Sequence, residues 1–252
     1  MVNYRLLALD LDGTVLTRNG QITEETKVWI KRAIDAGVIV ILATGRGLYQ
    51  VETFLKELDL ETPMVLANGG EIWKKPGELL ERYTIDKEDI RMLHSIAIEA
   101  EADFGGYSVE YATEEMNVWT DEMFHYNWIT FSIRHENPTV LTQMKMHIDH
   151  SSTLEVISFA PANMDFSLKG ISKESGVRKV CEYLNIDMDS VIAIGDNLND
   201  LKLIQSAGLG IAMGNADEKL KQAADWVTAS NEEDGVAKAI KNFLFAEQDL
   251  TE

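Results

Sequence analysis

The chain has 252 residues, 45% of them hydrophobic, which is enough to bury the core of one large domain or of a domain that carries a second one. Its formal charge of −19 at pH 7 argues against nucleic acid and against anionic membrane surfaces as partners. A single cysteine excludes an intramolecular disulfide, and the sequence has neither a signal-peptide pattern nor a membrane-spanning apolar run. We therefore expect a cytoplasmic protein, either a monomer or a homodimer.

Short apolar runs and amphipathic segments alternate in the first third of the chain. The run LLALDL at 6–11 predicts a buried strand, and residues at helical spacing follow it between an N-cap at Thr23 and a stop at Gly37. A second strand, VIVIL at 38–42, leads into a second helix, and MVL at 64–66 predicts a third strand. Strands that alternate with helices in this way indicate a parallel sheet with right-handed crossovers.

The last third of the chain has the same alternation. A helix carries Val177 to Leu184, the strands SVIAIGD at 190–196 and GLGIAM at 208–213 follow, and a terminal helix begins near Asp234. Together with the first third, these elements predict an α/β fold with one doubly wound parallel sheet. The polar clusters that follow its strands should gather along one edge, where open α/β sheets bind ligands.

The middle of the chain has a different sequence pattern. It contains helical patterns and an aromatic-rich stretch at 115–133 that we expect to form a strand. We predict a smaller α+β domain at 81–160, inserted between the two core segments 1–80 and 161–252. Trp119, Tyr126 and Trp128 could stack on a sugar or another ring, but aromatic residues in such a stretch are more often part of a domain core.

Two carboxylates, Asp10 and Asp12, end the first predicted strand, where burial and mutual repulsion disfavour them. A hard cation such as Mg²⁺ prefers oxygen ligands and would offset the repulsion. One carboxylate could then attack phosphorus while the other handles a proton. Gly13 would let the chain turn so that both side chains face one pocket. The alternative is that Asp12-Gly13 is only a turn after a strand, and the pair alone does not decide between them.

Further polar clusters follow the other predicted strands. Thr44 and Gly45 precede a helix, where a hydroxyl and backbone N–H groups can hold an anion. Lys173 stands at the expected start of a helix, where the helix dipole disfavours a cation, and its alternative interpretation is a solvated surface lysine. The GDNLND loop at 195–200 offers oxygen ligands and a partner for a lysine through Asp196, Asn199 and Asp200.

The joint pattern of these clusters resembles the four motifs of the haloacid dehalogenase-like superfamily of phosphohydrolases. The motifs are DLDGT at 10–14, ATGR at 43–46, Lys173 in GISKESG, and GDNLND at 195–200. The segments NGG at 68–70 and AMGNA at 212–216 look like those of the Cof-type branch. This resemblance implies a Rossmann-like core and an inserted type IIB cap domain.

The resemblance also implies a role for each matching carboxylate. Asp10 matches the nucleophile that becomes phosphorylated, and Asp12 matches the general acid and base. Magnesium is held in this family by the carboxylates that match Asp10 and Asp196, together with the backbone carbonyl at the position of Asp12.

The remaining matches concern the phosphoryl group. Thr44 and Lys173 match groups that bind it, and Gly45 matches a residue that lends a backbone amide. Asn199 matches a residue close to the phosphate, and Asp200 matches a carboxylate that orients the lysine. Glu174 departs from the glycine that the family often has after the lysine, and Lys169 is a competing candidate for the lysine position.

The implied function is a Mg²⁺-dependent phosphatase that acts through an aspartyl-phosphate on small phosphorylated metabolites, such as sugar phosphates, pyridoxal phosphate or flavin mononucleotide. Two alternatives stay open. A phosphomutase of the same superfamily would transfer the phosphoryl group between hydroxyls, and a non-catalytic binding protein would keep the fold without the chemistry. The joint presence of the motif residues argues against the second alternative.

Overall fold

A computed structural model of the chain describes residues 4–111, 117–148, 153–160 and 162–245. The strands are β1 Leu6–Leu9, β2 Ile39–Leu42, β3 Met64–Leu66, β4 Glu71–Lys75, β5 Glu78–Arg82, β6 Asp103–Ser108, β7 Trp128–Arg134, β8 Leu154–Ala160, β9 Asn163–Leu168, β10 Val191–Gly195, β11 Leu209–Ala212 and β12 Trp226–Val227. The helices are α1 Glu24–Asp35, α2 Leu48–Glu57, α3 Lys87–Glu99, α4 Pro138–Ile148, α5 Lys173–Leu184, α6 Leu201–Ser206, α7 Glu218–Ala223 and α8 Gly235–Leu244. Within the described ranges no helix combines the length and the hydropathy that crossing a bilayer requires.

The chain divides into two compact units. The first consists of Met1–Leu80 together with Lys173–Glu252, and the second is the insert Glu81–Ser172. The second boundary differs from the predicted one, which lay between residues 160 and 161. The reason is β9, which pairs antiparallel with both β7 and β8 and so belongs to the sheet of the insert.

The first unit contains a five-stranded parallel sheet with the strand order β12-β11-β10-β1-β2, which confirms the predicted α/β class. All residues of β1 are buried, because the strand lies at the inner position between β10 and β2. Connections lead from β1 towards β2 on one side and from β10 towards β11 on the other. The strand order therefore reverses between β1 and β10, and such a switch point opens a crevice at the carboxyl ends of the strands.

The third predicted strand departs from the expected parallel sheet. β3 pairs antiparallel with β4, and its ladder to the parallel sheet is limited to one parallel bridge, between Ala43 and Val65. Ala67 and Asn68 both have left-handed backbone conformations, with φ of 49° and 54°. These two residues reverse the direction of the chain immediately after β3. β3 is therefore the first strand of a β-hairpin and does not form a regular parallel ladder with the main sheet.

The insert contains a four-stranded antiparallel sheet, β6-β7-β9-β8, and the helices α3 and α4. Within the stretch 115–133 that we expected to be one strand, Asp121–His125 form a short 3₁₀ helix and the strand begins only at Trp128, while residues 115 and 116 lie outside the described residues. Trp128 is buried in the core of the insert, and Trp119 stacks on it with ring centroids 5.0 Å apart. Tyr126 is partly buried against the same core.

Candidate active site

Two motif carboxylates lie at the switch point of the parallel sheet. Asp10 follows β1 and Asp196 follows β10, and these strands pair in register from Leu6 with Val191 onwards. The backbone N–H of Asp10 donates to the carbonyl of Ile194 at 3.1 Å, which continues the ladder beyond the strands. The apolar strands of a buried parallel sheet thus carry both carboxylates to the same edge.

Lys173 joins the carboxylates of two motifs. Its side chain is fully buried at the first position of α5, and its Nζ donates to Asp10 Oδ1 and to Asp200 Oδ1, both at 2.7 Å. A buried cation at a helix N-terminus is unfavourable by itself, so the two carboxylates are needed to compensate it. Lys169, the competing candidate, is an exposed residue after β9 in the insert.

Asp200 organises the loop that carries Asp196. Its second oxygen, Oδ2, accepts the backbone N–H groups of Asp196 at 3.1 Å and Asn197 at 3.2 Å. A Cβ at Gly195 would lie 2.4 Å from Asp200 Cγ, so only glycine permits this close approach. Asp200 therefore fixes both Lys173 and the backbone of the loop.

The electrostatics of the cluster favour a further cation. Asp10, Asp196 and Asp200 each offer an oxygen, and these atoms lie within 4.8 Å of one another. Burial raises the pKa of Asp10 well above its usual value and the pKa of Asp196 to about 6, and the charge of Asp200 adds to both shifts. Burial alone would lower the pKa of Lys173, but the charges of Asp10 and Asp200 outweigh burial and raise it.

The cluster thus contains three carboxylates and one ammonium group, which donates to two of them, and a net negative charge is left in a largely buried place. Hard oxygen donors with an excess of negative charge are what Mg²⁺ requires, so this donor set fits the ion that the sequence implied. Asp10 and Asp196 are the carboxylates best suited to hold it. Both oxygens of Asp200 already accept hydrogen bonds from the protein, Oδ1 from Lys173 and Oδ2 from two backbone N–H groups.

Asp12 lies outside this cluster. Its carboxylate is 59% exposed and accepts two hydrogen bonds from Arg46, from Nε at 2.8 Å and from a terminal guanidinium nitrogen at 2.6 Å. Such a bidentate pair fixes the orientation of the carboxylate. Arg46 belongs to the ATGR motif, but no pattern in the sequence assigns it a contact with Asp12.

Thr44 and Gly45 form the start of the loop after β2. Thr44 is 1% exposed, its backbone N–H donates to the Val65 carbonyl at 2.9 Å, and its Oγ1 accepts the backbone N–H of Arg46 at 3.2 Å. A Cβ at Gly45 would lie 3.1 Å from Asn68 Nδ2, so the loop packs closely against the hairpin. The first helical turn begins at Leu48, three residues beyond Gly45.

Asn199 forms a hydrogen bond with Asn68, a residue to which the sequence analysis assigned no role. Its Nδ2 donates to Asn68 Oδ1 at 2.9 Å, across 131 positions of the chain. Its own Oδ1 is buried and has no hydrogen-bond partner among the described residues. Asn68 opens the NGG segment, and that segment was the only sequence signal that could have pointed to it.

The loop after β1 is held from two further sides. Gly13 has φ +78°, and a Cβ there would lie 2.2 Å from Asp196 Oδ2, so the glycine brings the two motifs together. Thr14 Oγ1 donates to Asp196 Oδ1 at 3.3 Å. Asn215, from the AMGNA segment, donates through Nδ2 to the Gly13 carbonyl at 2.8 Å. Sequence reasoning missed Thr14 and Asn215, although both lie inside quoted motifs.

Glu174, which stands where the family often has glycine, could place a negative charge near an anionic substrate. Its carboxylate accepts a hydrogen bond from Nε of Arg178 at 2.9 Å, one helical turn further along α5. This pair compensates the charge of Glu174, so the departure from glycine leaves the cation of Lys173 in place.

The chain is similar to known proteins over nearly its whole length. A family model described as haloacid dehalogenase-like hydrolase matches residues 7–128 and 114–240. The chain is 34% identical to the 5-amino-6-(5-phospho-D-ribitylamino)uracil phosphatase YcsE of Bacillus subtilis, over 96% of this chain and 97% of that protein. It is 26% identical to the pyridoxal phosphate phosphatase YbhA of Escherichia coli, over 95% and 98% of the two chains. The solved structure of the subclass IIB sugar phosphatase BT4131 superposes with a TM-score of 0.83 at 23% identity, over 95% of this chain and 98% of that one, and so shares the fold.

Proposed function

This chain belongs to the haloacid dehalogenase-like hydrolases, and we propose that it is a Mg²⁺-dependent phosphatase that hydrolyses small phosphorylated metabolites through an aspartyl-phosphate. The observation that carries the proposal is the buried contact of Lys173 with Asp10 and Asp200, next to Asp196 at the switch point of the sheet. A nucleophilic carboxylate, a phosphate-binding cation and an oxygen-rich metal site are thereby assembled in one place.

Asp10 is the nucleophile in this proposal. Lys173 holds its Oδ1, so the other oxygen attacks phosphorus and the bond from phosphorus to the leaving oxygen breaks. The ammonium group of Lys173 is adjacent and offsets the negative charge on the phosphoryl oxygens. Mg²⁺, held by Asp10, Asp196 and the backbone carbonyl of Asp12, would neutralise further phosphoryl charge.

Asp12 handles the proton in both half-reactions. As a carboxylic acid it protonates the leaving oxygen, and as a carboxylate it then takes a proton from the water that attacks the aspartyl-phosphate. Free phosphate leaves and Asp10 is restored. The exposure of Asp12 and its bidentate contact with Arg46 support this role, because the group is oriented and yet accessible to solvent and substrate.

Thr44, Gly45 and Asn199 complete the phosphoryl site in the proposal. Thr44, which is buried, would offer its hydroxyl, and Gly45, which lies close to Asn68, would offer its backbone amide; both lie on the loop after β2. Asp200 contributes by fixing Lys173 and the loop of Asp196. We further propose that the insert is a cap domain, and that the enzyme is cytoplasmic and either a monomer or a homodimer.

The names of the relatives narrow the substrate class. YcsE acts on 5-amino-6-(5-phospho-D-ribitylamino)uracil and YbhA on pyridoxal phosphate, and both compounds are primary phosphate monoesters of ring-containing molecules. We propose the same class for this chain, with the ribitylaminouracil phosphate as the first candidate because YcsE shares 34% identity over nearly the whole chain.

The test measures release of free phosphate from the ribitylaminouracil phosphate, pyridoxal phosphate, a sugar phosphate and p-nitrophenyl phosphate, with Mg²⁺ and with EDTA. Hydrolysis that requires Mg²⁺, and that Asp10→Asn abolishes, supports the proposal. Asp35→Asn removes an exposed carboxylate at the end of α1 and should leave the rate unchanged. An isomeric phosphate ester without free phosphate would instead identify a phosphomutase, and turnover in Asp10→Asn would refute the nucleophile.

A further inference from the structure

We propose that Asn68 is a positioning residue whose carboxamide decides which atom of Asn199 faces the phosphoryl group. The inference rests on the phosphatase function proposed above and adds to it a residue that the four motifs do not include. Three observations carry it: the backbone conformation of Asn68, the place of its side chain, and the unpaired oxygen of Asn199.

Backbone hydrogen bonds join Asn68 and its neighbour to the loop after β2, which carries Thr44 and Gly45. The N–H of Asn68 donates to the carbonyl of Thr44 at 3.0 Å, and the preceding Ala67 N–H donates to the carbonyl of Arg46 at 2.9 Å. Both Ala67 and Asn68 adopt left-handed conformations, which cost free energy for residues other than glycine. The hairpin turn is thus bound directly to the loop that carries Thr44 and Gly45.

The side chain of Asn68 lies between two groups of the proposed phosphoryl site. It is 7% exposed, its Oδ1 accepts from Asn199 Nδ2 at 2.9 Å, and its Nδ2 lies 3.1 Å from the place of a Cβ on Gly45. A turn alone does not need this carboxamide, because glycine adopts φ +54° without strain and would form the same hairpin. The amide therefore has a use beyond the turn.

The unpaired oxygen of Asn199 suggests that use. A buried acceptor without a donor is destabilising, and the same atom directed at a phosphoryl oxygen would repel it. If both carboxamides rotate by 180°, Asn68 Nδ2 donates to Asn199 Oδ1, and their hydrogen bond is kept with donor and acceptor exchanged. The NH₂ group of Asn199 then takes the unpaired position and can donate to a phosphoryl oxygen. Asn68 makes this exchange possible because an amide can serve as either partner.

Substitutions at residue 68 separate the amide from the turn. Asn68→Gly keeps the left-handed conformation and removes the carboxamide, so we expect kcat/KM for p-nitrophenyl phosphate to fall roughly 10- to 100-fold. The inhibition constant of inorganic phosphate should rise as well, because the site for the phosphoryl group itself is perturbed. Asn68→Asp should lose more activity than Asn68→Gly, since a carboxylate can only accept and holds Asn199 with its oxygen unpaired. The control is Asn185→Gly, the same change at φ +53° on an exposed residue outside the site, and it should leave both constants unchanged.

A double-mutant cycle with Asn199→Ala distinguishes positioning from a general structural effect. If Asn68 acts through Asn199, the double variant with Asn68→Gly loses no more activity than Asn199→Ala alone. Additive losses, or an Asn68→Gly enzyme that equals the wild type, would overturn the inference. A wild-type protein that hydrolyses none of the phosphate esters would refute the proposed function itself, so the two failures are distinguishable. Melting temperatures of all variants show which of them are folded.

Discussion

Replacement of Gly13 by alanine tests whether the loop after β1 and Asp196 form one site. The added Cβ would lie 2.2 Å from Asp196 Oδ2, whereas ordinary contacts begin at 3.4 Å, so the carboxylate has to retreat by roughly 1 Å. The left-handed backbone at φ +78° adds about 1–2 kcal/mol of strain. Gly20→Ala is the matched control, because it has φ +71° and no described atom near its Cβ position beyond its chain neighbours.

Both variants carry the backbone strain, and only Gly13→Ala displaces Asp196. We therefore expect Gly20→Ala to lower the melting temperature slightly and to keep wild-type kcat/KM. Gly13→Ala should lose about 100-fold in kcat/KM and need a higher Mg²⁺ concentration for half-maximal rate, because Asp196, the proposed metal ligand, has moved. The assay is a Mg²⁺ titration of p-nitrophenyl phosphate hydrolysis for the two variants. Equal rates and equal Mg²⁺ requirements in both would refute the reasoning that Gly13 sets the position of Asp196.

Three further predictions concern titratable groups that are buried or partly buried. Lys173→Met leaves Asp10 and Asp200 buried without their cation, and it should cost about 3–5 kcal/mol of stability in urea unfolding; an unchanged midpoint would contradict the ion pair. Burial raises the pKa of Cys181 to about 11, so a thiol reagent at pH 8 should react with it only after denaturation. Burial lowers the pKa of His94, so the unfolded chain takes up this proton first as the pH falls below about 6.5. Stability should therefore decline through that window, and less so in His94→Gln; equal declines in both proteins would contradict it.

The parallel sheet could be predicted from the sequence because burial on both faces leaves a continuous apolar run. β1 and β10 are such runs, and both are buried throughout. The start of α1 could also be predicted. Thr23 is the N-cap, and its Oγ1 accepts a hydrogen bond from the backbone N–H of Thr26 at 3.2 Å. Each of these features depends on residues that are adjacent or regularly spaced in the chain.

β9 was missed although it carried a signal. In NMDFSL at 163–168, Met164 and Phe166 are buried at period 2, which is the alternation of a strand. The segment begins three positions after the predicted boundary at residue 160, so the prediction assigned it to the core segment 161–252 and not to the insert. The partners of β9 in β7 lie about 30 positions away in the chain, from Arg134 opposite Asn163 to Phe131 opposite Phe166, and no local sequence pattern predicts such a pairing.

The candidate site shows the same division between local and distant determinants. The sequence indicated that carboxylates would end the strands of the sheet, and the parallel topology then brought Asp10 and Asp196 together. The amide contacts between loops could not be predicted in this way. Asn68 meets Asn199 across 131 positions and Asn215 meets Gly13 across 202, and neither pair follows a helical or strand period.

Hydrogen bonds between residues that are distant in the chain keep the motif loops close together. Asn215 donates to the Gly13 carbonyl and accepts the backbone N–H of Asn231, whose Nδ2 donates to the carbonyl of Leu16. The two ends of the loop after β1 are therefore tied to the same pair of side chains. Such bracing costs side-chain entropy once, on folding, and spares the reorganisation of charged groups in every turnover. A site that brings three carboxylates within 4.8 Å of one another needs this support, because the repulsion among them would otherwise push the loops apart.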